Sequence, residues 1–268
     1  MSSIRQFGYL AAYNGDSKHG FARQFDQRIS ASFDVINYDA DADFKVIVQC
    51  EPPHLYLRFP GMVKTIADQV DLILTYNSEL LELPNAEEFC PVGSWISDDI
   101  VLDKTDQISY LMSSKVFTPD QRMRFIIMRR FSHLTRLGQF EFNMHRSPPR
   151  APTKDAFFTR AKFNIACENQ YYPNMFTEKL LDCFKTRTVP IYFGCPNLSN
   201  YFDIRGVLMF KSIEELEDIV QNLTPADYDR MLPYIEENYQ RGRVYWEKSV
   251  YQRIEDIIAT RLENINIY

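Results

Sequence analysis

Short apolar runs of four to seven residues recur along this chain, separated by stretches with helical spacing, and that alternation limits its fold more than any other feature. "FDVINY" (33–38), "FKVIVQC" (44–50) and "LILTY" (72–76) form a first series. A second follows: "ISYLMSS" (108–114), "FEFNM" (140–144), "KFNIAC" (162–167), "TVPIYFG" (188–194) and "VLMF" (207–210). Runs this short and this apolar read as strands buried on both faces, the mark of parallel sheets covered by helices. The expectation is α/β, with a Rossmann-like sheet in each half. The polar, aperiodic stretch "SWISDDIVLDKTDQ" lies between the series and predicts the crossover. It sets an N-terminal domain over 1–104 and a C-terminal domain over 105–268 that ends in a helical tail.

A chain of 268 residues that is 45% hydrophobic, with 20 Phe and 16 Tyr, can fill two such cores. Lys plus Arg number 30 against 36 Asp plus Glu, a net charge of -6, which argues against a nucleic-acid partner and confines any contact with a polyanion to a local site. The five cysteines form no CxxC pair, so neither a zinc site nor a disulfide framework is expected. Residues 1–15 lack the apolar core of a signal peptide, and no run approaches the roughly 18 apolar residues of a membrane span. The expectation is a soluble, cytoplasmic protein, in which the sequons at Asn197 and Asn222 are chance matches.

Two strand-to-helix junctions of the second half place a cation where a helix is already electropositive. One helix is bounded by Thr118-Pro119 and Gly138, with Met123, Ile127, Phe131 and Leu134 on its core face. Its first turn carries Arg122, while Arg129 and Arg136 read as a solvated stripe. The other opens at Thr177-Glu178-Lys179. A cation in a first turn is unfavourable unless an anion sits opposite, and the carboxyl ends of parallel strands are where α/β folds bind ligands, so a nucleotide diphosphate fits. Neither junction has the glycines of a P-loop or a dinucleotide fingerprint. On the residues alone, each cation is as readily structural or exposed as functional. Further on, "RSPPRAPTKD" (146–155) reads as a surface loop, Ser212-x-x-Glu215 and Thr224-Pro225 as helix starts, and Pro233 as a kink or break.

"KFNIACENQYYPNMFTEKLLDCFKTRTVPIYFGCPN" (162–197) resembles the donor-binding signature of the α1,3-fucosyltransferases, glycosyltransferase family ten, in the order and spacing of Glu-Asn, Thr-Glu-Lys and Val-Pro-Ile-x-x-Gly. "VIVQCEPPH" (46–54), "LILTYNSELLELPNAEEFCPVG" (72–93) and "YLMSSKVFTPDQRMRF" (110–125) are similar to three further stretches of that family. The resemblance covers roughly residues 40 to 240.

The resemblance implies a GT-B type fold, two Rossmann-like domains facing a cleft, with the donor in the C-terminal half and the acceptor on the N-terminal half. It implies an inverting transfer of L-fucose from GDP-β-L-fucose to a hydroxyl of a glycan acceptor, forming an α1,3 linkage, with no cofactor and no divalent metal. Arg122 and Lys179 take the diphosphate, Asn169 and Glu178 hold donor hydroxyls, and Glu168 belongs to the same donor-binding set. Glu51, at the strand end before Pro52-Pro53, takes the place of the catalytic base; without the resemblance it reads as a glutamate that opens a loop, and His54 is the next candidate. Met175 stands where the family has a tyrosine, Gln170 for serine, Ser114 for asparagine and Asn77 for a basic residue. These departures bear on sugar choice more than on glycosyl transfer. A same-fold transferase using another nucleotide sugar, and a non-catalytic sugar- or nucleotide-binding relic, are the alternatives.

Overall fold

The structure, a computed structural model, describes residues 2–8, 20–53, 55, 57–113, 117, 119–135, 140–145 and 154–265. Its strands are β1 (Arg5–Gly8), β2 (Ile29–Phe33), β3 (Phe44–Val48), β4 (Leu72–Thr75), β5 (Ala86–Glu88), β6 (Thr105–Ser113), β7 (Phe140–His145), β8 (Ala161–Cys167), β9 (Val189–Phe193) and β10 (Leu208–Met209). Its helices are α1 (Phe59–Thr65), α2 (Pro119–Thr135), α3 (Lys154–Arg160), α4 (Glu178–Lys185), α5 (Ile213–Asn222), α6 (Pro225–Trp246) and α7 (Val250–Ile265). The chain divides into two compact units: Met1–Gly93 with Pro173–Met175 and Val244–Tyr268, and Ser94–Tyr172 with Phe176–Arg243.

In the first unit the strands lie in sequence order, β1 to β5, all parallel. The alternation of a strand sends successive side chains to opposite faces. Val46, Val48, Leu72 and Leu74 join one core with Val250, Ile254, Ile258 and Leu262 of α7, while Ile47 and Ile73 join another with Phe59 and Val63 of α1. Both faces are thus covered, as the unbroken apolar runs require.

In the second unit the order is β10-β9-β8-β6-β7, again all parallel. The chain leaves β6 toward β7 on one side, then steps outward from β8 through β9 to β10 on the other. With right-handed crossovers, the helices that follow β6 and β8 cover opposite faces, and a crevice opens at the carboxyl ends of these two strands. The sequential first sheet has no such switch point among the described residues.

Several elements differ from the sequence reading. The strand expected at 33–38 is Ile29–Phe33, because Asp34 takes φ 52° and ends the extended run. Ser30 and Ser32 disguised it; both are fully buried, their hydroxyls satisfied by Asp39 N–H and the Asn37 carbonyl. The short strands β1 and β5 were not anticipated. Lys154 and Asp155 open α3 instead of closing a loop, and 146–153 lie outside the described residues, as do Thr118, Arg136 and Gly138. On α2, Ile127 and Phe131 are buried and Met123 half-buried, while the Leu134 side chain is outside the described set. α6 runs through Pro233 without a break. Ser212 accepts Glu215 N–H at 3.2 Å, as its capping pattern predicts. All five cysteines are buried free thiols, and no helix among the described residues is long and apolar enough to cross a membrane.

Candidate functional site

β8 ends at Cys167, and the ladder extends one residue further through Glu168 N–H to the Phe193 carbonyl, 2.8 Å. The Glu168 side chain, fully buried, gathers the surrounding donors. Its carboxylate accepts Thr177 N–H at 2.8 Å, the Thr177 hydroxyl at 2.6 Å and the Tyr192 hydroxyl at 3.3 Å. Thr177 is extended and is the N-cap of α4, so the electropositive start of that helix faces a carboxylate supplied by the chain itself.

Lys179 lies in the same turn. Its ammonium donates to Thr177 Oγ1 at 2.9 Å and Glu178 Oε1 at 3.1 Å, with Glu168 Oε2 at 3.6 Å. The inference that a first-turn lysine needs an external anion is therefore corrected: Glu178 and Glu168 already balance it. Burial works against ionising Glu178, but the Lys179 ammonium, then Lys154, and hydrogen bonds from Lys179 and Thr177 outweigh it and lower its pKa to about 2. Burial likewise opposes the charge on Lys179, and Glu178 and Glu168 overcome it, holding the amine above its ordinary pKa. Glu168 is pushed up, chiefly by burial, against the pull of Lys179. Of the three Lys179 donors two are engaged, and the side chain keeps 24% exposure, which leaves a direction open to a ligand.

Gly194 closes this arrangement from behind. A Cβ there would stand 2.3 Å from the Tyr192 hydroxyl oxygen and 2.5 Å from Glu168 Cγ, and both side chains are fully buried with no room to swing aside. Gly194→Ala is expected to cost about 1–3 kcal/mol, the usual range for overpacking. Thermal unfolding of the variant beside the parent checks it, and an unchanged midpoint would show that Glu168 and Tyr192 relax freely.

The α2 side contributes Asp120 and Arg124. Asp120 accepts Tyr171 N–H at 2.8 Å, and the buried Arg124 guanidinium donates to the Cys167 carbonyl at 3.3 Å and to Asn169 Oδ1. Glu168, Asn169, Glu178 and Lys179 thus come together at the carboxyl end of β8, beside the switch point. Arg122 does not join them: it is exposed and, two residues from Arg124, projects roughly 160° around the helix from it. Arg124 lies outside the seven-residue arginine repeat of 122, 129 and 136 that dominates the sequence pattern of this helix. The available signal was its spacing from Asp120, Ile127 and Phe131, which puts it on the inward face.

Glu51, in the first unit, follows β3 and is half-buried. Its backbone N–H is held by the Asp34 carboxylate at 3.1 Å. Asn77 is buried, its N–H on Thr75 Oγ1 at 3.0 Å, and Gln170 and Met175 are buried too. His54 and Ser114 lie outside the described residues. Among the described residues no three His, Cys, Asp or Glu side chains converge as a metal site.

Comparison with known proteins agrees with this architecture. Residues 102–254 match the family model described as "Glycosyltransferase family 10 (fucosyltransferase) C-term". An α-(1,3)-fucosyltransferase FucT of Helicobacter pylori is 30% identical over 121 residues, 43% of this chain and 25% of that protein. The chain therefore matches only a quarter of the length of that relative. Crystal structures of an α1,3-fucosyltransferase with GDP-fucose and with GDP superpose with a TM-score of 0.52 each, at 15% and 16% identity. They cover 87% of this chain and 78% and 77% of theirs, a likeness of fold. That fold is the GT-B architecture of two parallel α/β sheets.

Proposed function

This chain belongs to glycosyltransferase family 10, the fucosyltransferases, and from that premise we propose that it transfers L-fucose from GDP-β-L-fucose to a hydroxyl of a glycan, with inversion, forming an α1,3 linkage. The observation that carries the proposal is the cluster of Asn169, Glu178 and Lys179 at the switch-point crevice, inside the matched segment.

In this reading the acceptor oxygen forms a bond to the anomeric carbon as the bond from that carbon to the β-phosphate oxygen breaks. The electron pair leaves with GDP, and Glu51 takes the acceptor proton. Charge builds on the diphosphate as the bond breaks, so a cation fixed there stabilises the transition state more than the ground state. Lys179 directs its remaining N–H to the diphosphate. Arg122, exposed and on the opposite side of α2 from Arg124, is given no part in holding the diphosphate in this reading, which also requires no divalent ion. Glu178, held ionised, and Asn169, oriented by Arg124, receive donor hydroxyls. Glu168 has no exposed surface, so its part is to hold the α4 start in register with β8 and β9.

GDP and GDP-fucose are expected to raise the unfolding temperature while UDP and CMP at equal concentration do not; ligand at 100 times its dissociation constant adds about 2.7 kcal/mol. Equal stabilisation by UDP would select the alternative of another nucleotide sugar, to which the buried Met175 is relevant. No response to any nucleotide would overturn a nucleotide-sugar transferase and leave only the sugar-binding form of the relic. Arg122→Ala is expected to bind GDP as the parent does in the same assay, and weakened binding would bring Arg122 into the site.

A further inference from the structure

The turn that carries Glu51 is tied to both neighbouring strands. β2 ends at Phe33, and Asp34 adopts a left-handed backbone, φ 52°, which Asp tolerates better than most residues. Its own N–H donates to the Val48 carbonyl at 3.0 Å, which fixes it on the last residue of β3. From there its carboxylate accepts Cys50 N–H at 2.8 Å and Glu51 N–H at 3.1 and 3.2 Å. On the other side, buried Gln49 donates its amide N–H to the Glu51 carbonyl at 3.5 Å and accepts the Thr75 hydroxyl of β4 at 2.6 Å. Both backbone groups of Glu51 are thereby held, and its half-buried side chain is the part left to move.

We propose that Asp34 is a positioning residue for Glu51: it fixes, through the backbone of 50 and 51, where the Glu51 carboxylate stands. The inference rests on the reading of Glu51 as the base. Two features argue that this is more than an ordinary loop contact. Both carboxylate oxygens are used, Oδ1 on the Cys50 and Glu51 N–H groups and Oδ2 on the Glu51 N–H, so an amide in the same pose would set its own NH2 donor against the Glu51 N–H. The carboxylate is also kept where ionisation is opposed, chiefly by burial and further by nearby Glu51, while the Cys50 and Glu51 N–H groups pull the other way, leaving its pKa at about 6. An aliphatic side chain would fill the space without that cost, so its hydrogen bonds are what it supplies.

The experiment is a double-mutant cycle on the whole chain, read as GDP release from GDP-fucose with water in the acceptor's place. Asp34→Asn keeps the size and the tolerance for a left-handed backbone. It is expected to lower kcat on the order of 10- to 100-fold, as a misplaced reacting group does, with the KM for GDP-fucose unchanged. In a Glu51→Gln background the same change is expected to do nothing further, because there is no base left to place. Asp34→Gly, which keeps the backbone conformation and lets water reach the two N–H groups, gives the same readout should the Asn variant fold poorly. A parental kcat, or an equal fall in both backgrounds, would overturn the role of Asp34 while leaving Glu51 as base. Parental turnover by Glu51→Gln alone would remove the base itself, and the role of Asp34 with it.

Discussion

Glu51→Gln is expected to bind GDP-fucose as the parent does and to turn it over more slowly by roughly 10²- to 10⁴-fold, the range for removing a positioned general base. The amide keeps the shape of the side chain but does not take a proton at neutral pH. The proton in question belongs to the acceptor and not to the nucleotide, so affinity and rate separate. Titration calorimetry with GDP-fucose supplies the first quantity and GDP release the second. The proposed inverting transfer is a single displacement, so no covalent glycosyl-enzyme is expected to accumulate in either protein. Full activity in the variant would transfer the role to another group, His54 being next in the chain.

Lys179→Ala is expected to be severe in a different way. Removing the ammonium strands Glu178 and Glu168, both buried, and loss of one partner from a buried ion pair costs roughly 3–5 kcal/mol. The sign of its pH dependence follows from Glu178. In the parent its folded pKa is about 2, below the ordinary carboxyl range, so its stabilising contribution is present above about 4.5 and is lost as pH falls toward 2. Without the lysine, burial raises the carboxyl instead, and stability falls as pH rises. The deficit should therefore be largest at neutral pH and shrink in acid, as denaturant titrations at pH 4 and 7 would show. Adding Glu178→Gln should restore much of the stability. GDP affinity of that double variant then isolates the phosphate contact, expected to be worth roughly 1.5–3 kcal/mol, or about 10- to 150-fold. Parental affinity would take Lys179 away from the diphosphate.

Most of the architecture was legible in the sequence because parallel strands buried on both faces leave continuous apolar runs, and seven of the eight runs fall on strands. The eighth misled because β2 carries two serines whose burial depends on loop backbone at residues 37 and 39, a tertiary fact with no local pattern. The Glu168–Lys179 cluster was legible as a motif but not as an electrostatic unit. Sequence order shows a lysine in a first turn; it does not show that the carboxylate ending the preceding strand has folded back onto it. Arg124 was lost in a run of arginines for a similar reason, since which of several cations turns inward is decided by what the opposite segment offers, here the Cys167 carbonyl and Asn169.

The seating of α7 against the first sheet bears on how the chain is made. Val250, Ile254, Ile258 and Leu262 are synthesised well after the β2–β4 residues that share their core. During translation β2, β3 and β4 emerge some two hundred residues before the helix that completes their core, whereas the second unit, ending at Arg243, has all its described strands and helices before α7 leaves the ribosome. The later half of the polypeptide is thus able to fold before the earlier half, a reversal of the usual N-to-C order of domain folding on the ribosome. In the interval the apolar side chains that α7 later meets are the surface most in need of protection.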